Sequence, residues 1–66
     1  MKLYRRAGKT QTTIHHEQCR YATSHNCFRW EWSTGKTARQ VQDQIRGLGN
    51  VACGWCQPFQ HEGVYE

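Results

Sequence analysis

The chain has 66 residues, 36% of them hydrophobic, and a formal net charge of +4 at pH 7. A chain this short is expected to form one domain, over residues 1–66, and a core of this size rarely supplies more than about 3–5 kcal/mol without a further staple. It has no apolar run of about 18 residues and no apolar segment behind its basic N-terminus, which argues against a membrane span and a secretory signal.

Two short strands are predicted near the N-terminus, over residues 2–6 and 10–16. The second contains Ile14 and several threonines, which favour extended backbone, and Gly8 suits the turn between the two strands. These residues therefore predict a β-hairpin at the start of the fold.

A third strand is predicted over residues 27–32, after a segment at residues 22–26 that has the composition of a loop. Because successive side chains of a strand point to opposite faces, its large aromatic residues share one face. These aromatic residues are Phe28, Trp30 and Trp32.

A helix is predicted over residues 38–48. Thr37, followed three residues later by Gln40, is a capping-box signature, and Gly47 and Gly49 are suited to end the helix. We expect the apolar stripe of the helix to lie across the aromatic face of the third strand. The stripe consists of Ala38, Val41, Ile45 and Leu48.

The last part of the chain begins with a knuckle turn from Cys53 to Cys56. Pro58 can start a further short turn or helix, and from Gln60 onward no pattern is visible. The elements together predict a small zinc-stapled α+β domain, in which a short antiparallel sheet packs against one main helix.

The cysteines are the expected staple. In Cys53-x2-Cys56 a single tight turn can present two sulfur atoms to one ion, and structural zinc takes four such soft ligands in a tetrahedron. Since no signal peptide is visible, we expect a cytoplasmic, reducing location, in which thiols bind metal more often than they form disulfides. Two disulfides are the second interpretation, and the sequence favours no particular connectivity.

Three pairings compete for the other half of the metal site. His15 and His16 point to opposite faces of a strand, so that only one of them can face Cys19. An all-cysteine site using Cys27 is the third possibility. Spacing alone leaves all three pairings open.

The chain carries, in order, His15-x3-Cys19-Arg20-Tyr21, an aromatic strand, an amphipathic helix, Gly49 and Cys53-x2-Cys56-x-Pro58. This order, over about residues 14–58, resembles the Ada-type zinc-binding domain. That family includes a methylphosphotriester-repair domain and small zinc modules appended to bacterial nucleases. The resemblance implies one structural zinc ion, with the ligands His15, Cys19, Cys53 and Cys56.

Two departures from the Ada pattern argue against inheritance of DNA repair. In the Ada repair domain the first ligand is a cysteine that accepts a methyl group, whereas His15 stands there in this chain. Gly54 and Trp55 occupy knuckle positions where Ada has basic residues that approach DNA. Because four protein ligands leave no open position for water, and the carboxylates are scattered, we expect no enzyme activity.

Binding is therefore the expected role, with nucleic acid as the leading partner. Arg20 and Arg29 could contact phosphates and Trp55 could stack on a base, and the net positive charge favours an acidic partner, although it also suits ordinary solubility. Neither a membrane nor a small-molecule substrate is expected.

The alternative role is docking on a protein, as an adaptor or inhibitor, through an apolar hot spot of Trp55 and Phe59. In this respect the chain resembles small zinc proteins of bacteria and their phages, and a phage-encoded module would act on a host protein. Binding to nucleic acid should weaken steeply with salt, whereas apolar docking should not.

Overall fold

The computed structural model describes residues 1–22 and 27–66, so the loop predicted at residues 22–26 lies outside the described residues except for Ala22. The observed elements confirm the α+β class. They are β1 (Leu3–Ala7), β2 (Thr12–His16), β3 (Cys27–Arg29), α1 (Ala38–Ile45) and β4 (Asn50–Ala52), with short 3-10 helices at Glu31–Ser33 and Pro58–Gln60. In the described ranges, no helix has the length and apolar character needed to cross a bilayer.

The strands form one mixed sheet in the order β3-β1-β2-β4. The predicted hairpin is present, with β1 antiparallel to β2 and a turn closed by a hydrogen bond of 3.0 Å from Gly8 N to Gln11 O. Strand β3 pairs antiparallel with β1. Strand β4, which the sequence did not predict, adds to the other edge parallel to β2.

Helix α1 begins as predicted but ends early. The capping box is present, since Gln40 N donates to Thr37 Oγ1 at 3.2 Å and Thr37 N donates to Gln40 Oε1 at 2.8 Å. The helix stops at Ile45, and Gly47 follows with a φ of 80°. This left-handed residue turns the chain away from the helix axis, so that Leu48 is 68% exposed and the prediction that it belongs to the apolar stripe is wrong.

The core lies between the helix and the two central strands. Leu3 of β1 and Ile14 of β2 are fully buried on the face of the sheet that the helix covers. The remaining buried members come from the helix and the C-terminal tail, and they are Ala38, Val41, Ile45 and Tyr65.

The predicted third strand is correct only as far as Arg29. Its register with β1 ends there, and the chain enters a 3-10 helix after Trp30. Strand β3 is an edge strand, so it lies beside the region that the helix covers. Of its three predicted aromatic residues, Trp30 packs against the core, whereas Phe28 is 67% exposed and Trp32 is also exposed. The helix therefore covers β1 and β2, and the expectation that it lies on the aromatic face of β3 is wrong.

The C-terminal tail completes the core, although its sequence shows no pattern. Tyr65 is fully buried, and its hydroxyl donates to the carbonyl oxygen of Pro58 at 2.8 Å. Isolated bridges join Tyr65 to Thr34 and Val64 to Thr37. The tail backbone is therefore joined to the segment that leads into the helix, and the Tyr65 side chain joins it to the turn after the knuckle.

Ile45 and Leu48 belong to the same predicted stripe, and the structure separates them by burial. We expect Ile45→Ala to lower the free energy of unfolding by about 2–5 kcal/mol, since it removes buried atoms and leaves a cavity. The matched change Leu48→Ala should stay within about 0.5 kcal/mol of the parent because the side chain is exposed. Urea unfolding of both variants measures the difference, and equal losses would show that the helix continues to Leu48.

Candidate metal centre

Strand β2 places two neighbouring buried side chains on opposite faces of the sheet. Ile14 enters the hydrophobic core, whereas His15, only 3% exposed, lies on the other face. This follows from the alternation of side chains along a strand. The sheet therefore separates the hydrophobic core from a second buried cluster, which contains Cys19 and Cys53.

Two chain segments carry cysteines to the His15 face. After β2 the chain turns, with Cys19 N donating to His16 O at 3.0 Å, and this turn folds Cys19 back beside the strand. The second segment follows β4, which pairs with β2. Cys53 N donates to Ile14 O at 2.9 Å, which extends the parallel ladder of β4 by one residue. Cys53 is thereby placed next to His15.

The knuckle turn supplies the last sulfur atom. Gln57 N donates to Cys53 O at 3.0 Å and closes the turn, and Gln57 itself adopts a φ of 47°. The backbone N–H of His16 donates to Cys56 Sγ at 3.5 Å, which joins the knuckle to the end of β2.

The four side chains are positioned to bind one metal ion. Ligand atoms of His15, Cys19, Cys53 and Cys56 all lie within 4.8 Å of one another. Zinc–sulfur bonds of about 2.3 Å and zinc–nitrogen bonds of about 2.0–2.1 Å imply tetrahedral edges of about 3.8 Å between sulfurs and about 3.5 Å between sulfur and nitrogen. The Cys19 sulfur lies 3.9 Å from the Cys53 sulfur and 3.4 Å from Nδ1 of His15, so these distances are compatible with zinc.

The histidine is in the form that binds metal. Burial lowers the pKa of the His15 imidazole, and the positive charges of Arg6 and His16 lower it further, so that the ring is neutral at pH 7. Nδ1 faces the sulfur of Cys19, and among the described residues the enclosed Nε2 has no hydrogen-bond partner. Coordination of a metal through Nδ1 would give this buried ring a polar partner on the side of the sulfur atoms.

The thiols differ in how readily they ionise. Burial raises the pKa of Cys53, but hydrogen bonds from the backbone of Cys56 and Trp55 outweigh this effect, and the pKa lies below its ordinary value. Burial raises the pKa of Cys56 to about 12, although the backbone N–H of His16 works in the opposite direction. A metal bound here would deprotonate its thiol ligands and compensate for their negative charge.

The rival ligands lie outside this group of four. His16 is half-buried, and its Nδ1 accepts a hydrogen bond of 3.0 Å from Gln18 N. Cys27 packs against the cysteine cluster from β3, and burial raises the pKa of its thiol. The structure therefore brings the His15 imidazole to the sulfur atoms, whereas the His16 ring and the Cys27 thiol do not belong to the group of close ligand atoms.

The residues predicted to bind nucleic acid lie around the same face. Arg20 is exposed, with its guanidinium 5.6 Å from the centre of the Tyr21 ring, and Trp55 is 73% exposed, with its ring 6.3 Å from that of Tyr21. Arg29 and His15 both pair with Tyr4 in the sheet, so all three share one face of the sheet.

Arg6, one of the arginines that the sequence offers for phosphate contacts besides Arg20 and Arg29, also belongs to this surface. It pairs with Thr13 and Cys27 and therefore lies on the His15 face, two residues along β1 from Tyr4. The alternation of Tyr4 and Arg6 was the available signal, but it does not say which face of the sheet holds the metal ligands.

Comparison of this chain with protein families, with curated proteins and with solved structures found no match. The Ada resemblance therefore stays a prediction that rests on the ligand spacing and the order of elements. The candidate metal centre rests on the geometry of its residues.

Exchange of single ligands should separate the four-residue group from its neighbours. We expect Cys53→Ser to lose stoichiometric metal and to leave the chain largely unfolded, since metal binding and folding are coupled in domains of this size. Cys27→Ser should retain one metal ion and lose only packing. Native mass spectrometry and circular dichroism of the two variants make the test, and loss of metal from Cys27→Ser would show that Cys27 is a ligand.

The adjacent histidines provide a second matched pair. His15→Gln should weaken metal retention against a competing chelator, whereas His16→Gln should leave it near that of the parent, because only His15 faces the sulfur atoms. If His16→Gln lost its metal to the chelator more readily than His15→Gln, the ligand would be His16.

Proposed function

We propose that this chain is a small structural-zinc domain of the Ada-like kind, and that its metal-bearing face binds nucleic acid without catalysis. The observation that carries the proposal is the largely buried group of one imidazole and three thiols whose ligand atoms all lie within 4.8 Å of one another. Four protein ligands close the coordination sphere, so the ion would hold the chain together and would have no position for a reacting water.

Zinc is the favoured metal for this donor set. Three thiolates and one neutral imidazole are soft and borderline donors, and a closed tetrahedral site of this composition is typical of structural zinc. The ligands come from β2, from the turn after it and from the knuckle after β4, which are distant in sequence. One ion would therefore join parts of the chain that are otherwise linked by a few hydrogen bonds.

Zinc binding is tested on protein purified without added metal. We expect a native mass one zinc ion above the mass of the denatured chain, and loss of the cooperative thermal transition after treatment with a strong chelator. Refolding with cobalt(II) should give the ligand-field absorption of a tetrahedral thiolate site. A denatured mass two or four hydrogens below that of the reduced chain would instead indicate disulfides and would refute the proposal.

Uncompensated positive charge around the centre supports nucleic acid as the partner. Arg6 and Arg29 are exposed on the sheet, and Arg20 is exposed beside the metal ligand Cys19. The ion pairs among the described residues lie elsewhere, joining the N-terminal amine to Glu17 and Glu66, and Arg46 to Asp43. The three arginines around the candidate metal centre therefore carry charges that phosphates could neutralise.

Docking on a protein through Trp55 and Phe59 has less support. Phe59 packs against the hydrophobic core, and it lines a different surface depression from Trp55. The exposed indole has Tyr21 as its aromatic neighbour and Arg20 beyond that ring. An aromatic and basic surface of this kind suits a polyanion better than an apolar partner.

Salt dependence tests nucleic-acid binding. We expect zinc-loaded protein to bind a labelled oligonucleotide with an affinity that falls linearly in a double-logarithmic plot against salt. Arg29→Ala should weaken binding and reduce the magnitude of the slope by about 0.7, since one phosphate contact is lost. Arg46→Ala is the control because Arg46 is paired with Asp43 at the helix end. Equal effects of the two variants would argue against the metal face as the binding surface.

A further inference from the structure

Two of the three tryptophans are in contact with each other and with cationic side chains. Trp30 and Trp32 stack on each other with centroids 4.9 Å apart and planes at 24°. Arg5 lies over Trp30, 5.5 Å from the ring centre, and Lys36 lies over Trp32 at 4.5 Å. Each of these rings therefore already contacts both a second ring and a cation, and this makes them less available for stacking on a base.

Trp55 differs from the other two. It is 73% exposed, and its contact with Tyr21 is tilted, with planes at 59°. Beside it lies an open depression of about 300 Å³. The depression is lined by His16, Gln18, Cys19, Arg20, Trp55 and Cys56.

The lining combines an aromatic wall, a cation and groups able to form hydrogen bonds, and it contains no carboxylate. Arg20 supplies the positive charge. The carboxamide of Gln18 forms no hydrogen bond within the described part of the chain, and Nδ1 of His16 accepts from Gln18 N, which leaves Nε2 of that ring for a ligand. Stacking, phosphate and base-edge contacts are therefore all available within one small site.

We propose that this depression binds one unpaired nucleobase of a single-stranded nucleic acid, stacked on Trp55, with an adjacent phosphate on Arg20. The inference rests on the proposed nucleic-acid binding and specifies its form. A base inside a duplex is stacked on both sides and would have to leave the helix to reach Trp55, whereas a base in a single strand is already accessible. Single strands are therefore preferred over duplexes of the same length.

The test compares strand types on zinc-loaded protein. Fluorescence anisotropy measures binding of a labelled oligothymidine of about ten nucleotides and of a duplex of the same length at low salt. The single strand should bind at least about fivefold more tightly. Trp55→Ala should weaken single-strand binding by roughly 5- to 150-fold, the range found for loss of one stacked base, and should leave duplex binding almost unchanged.

Matched variants keep the test independent of folding. Phe28→Ala removes another exposed aromatic residue, 67% exposed on the edge strand, and should have no effect on either strand type. Trp55→Leu keeps an apolar side chain without an aromatic face, so a variant with parental zinc content and melting temperature should still lose single-strand affinity. These two controls separate stacking from stability and from general apolar contact.

These experiments distinguish failure of the base pocket from failure of nucleic-acid binding as a whole. If duplex binds as tightly as single strand, or if Trp55→Leu binds like the parent while Arg29→Ala still weakens binding, the base pocket is wrong and nucleic-acid binding on the metal face stands. If neither strand type binds at low salt, the proposed function fails, and the pocket fails with it.

Discussion

The structure depends on the burial of β2 on both of its faces. At this strand Ile14 points into the hydrophobic core and His15 points into the cysteine cluster, so adjacent residues belong to two separate interiors. A shift of one residue in register would send the imidazole into the core and the isoleucine toward the sulfur atoms. Both interiors therefore select the same register, and the hairpin with β1 and the parallel pairing with β4 are fixed by it.

Neither interior is large enough to stabilise the chain on its own. The hydrophobic cluster contains few large buried side chains, mainly Leu3, Ile14, Val41 and Tyr65, and a core of this extent leaves little margin over chain entropy. The cysteine cluster occupies the opposite face of the sheet, where a second helix would otherwise be needed. A bound ion there would compensate for the missing layer, because in such domains the free energy of metal binding is also free energy of folding.

The features that the sequence predicted correctly depend on residues that are close to one another in the chain. The hairpin turn at Gly8 and the capping box of Thr37 and Gln40 depend on neighbouring residues, and both are present. The three residues of β4 and the burial of Tyr65 depend on distant partners, and no short-range pattern marks them. The helix end at Leu48 was misjudged for a related reason, since periodicity continues past the glycine that turns the backbone away.

The site shows the same division between local and distant information. Spacing indicated the Cys-x2-Cys turn, but strand alternation could not choose between His15 and His16 until the side of the sheet that holds Cys53 was known. Parallel pairing of β4 places Cys53 beside His15, and the knuckle then holds Trp55 between Cys53 and Cys56. Cys19 and Cys56 also line the depression next to Trp55. An ion that fixed these sulfur atoms would therefore also fix the shape of the neighbouring surface, because the same two cysteines belong to both.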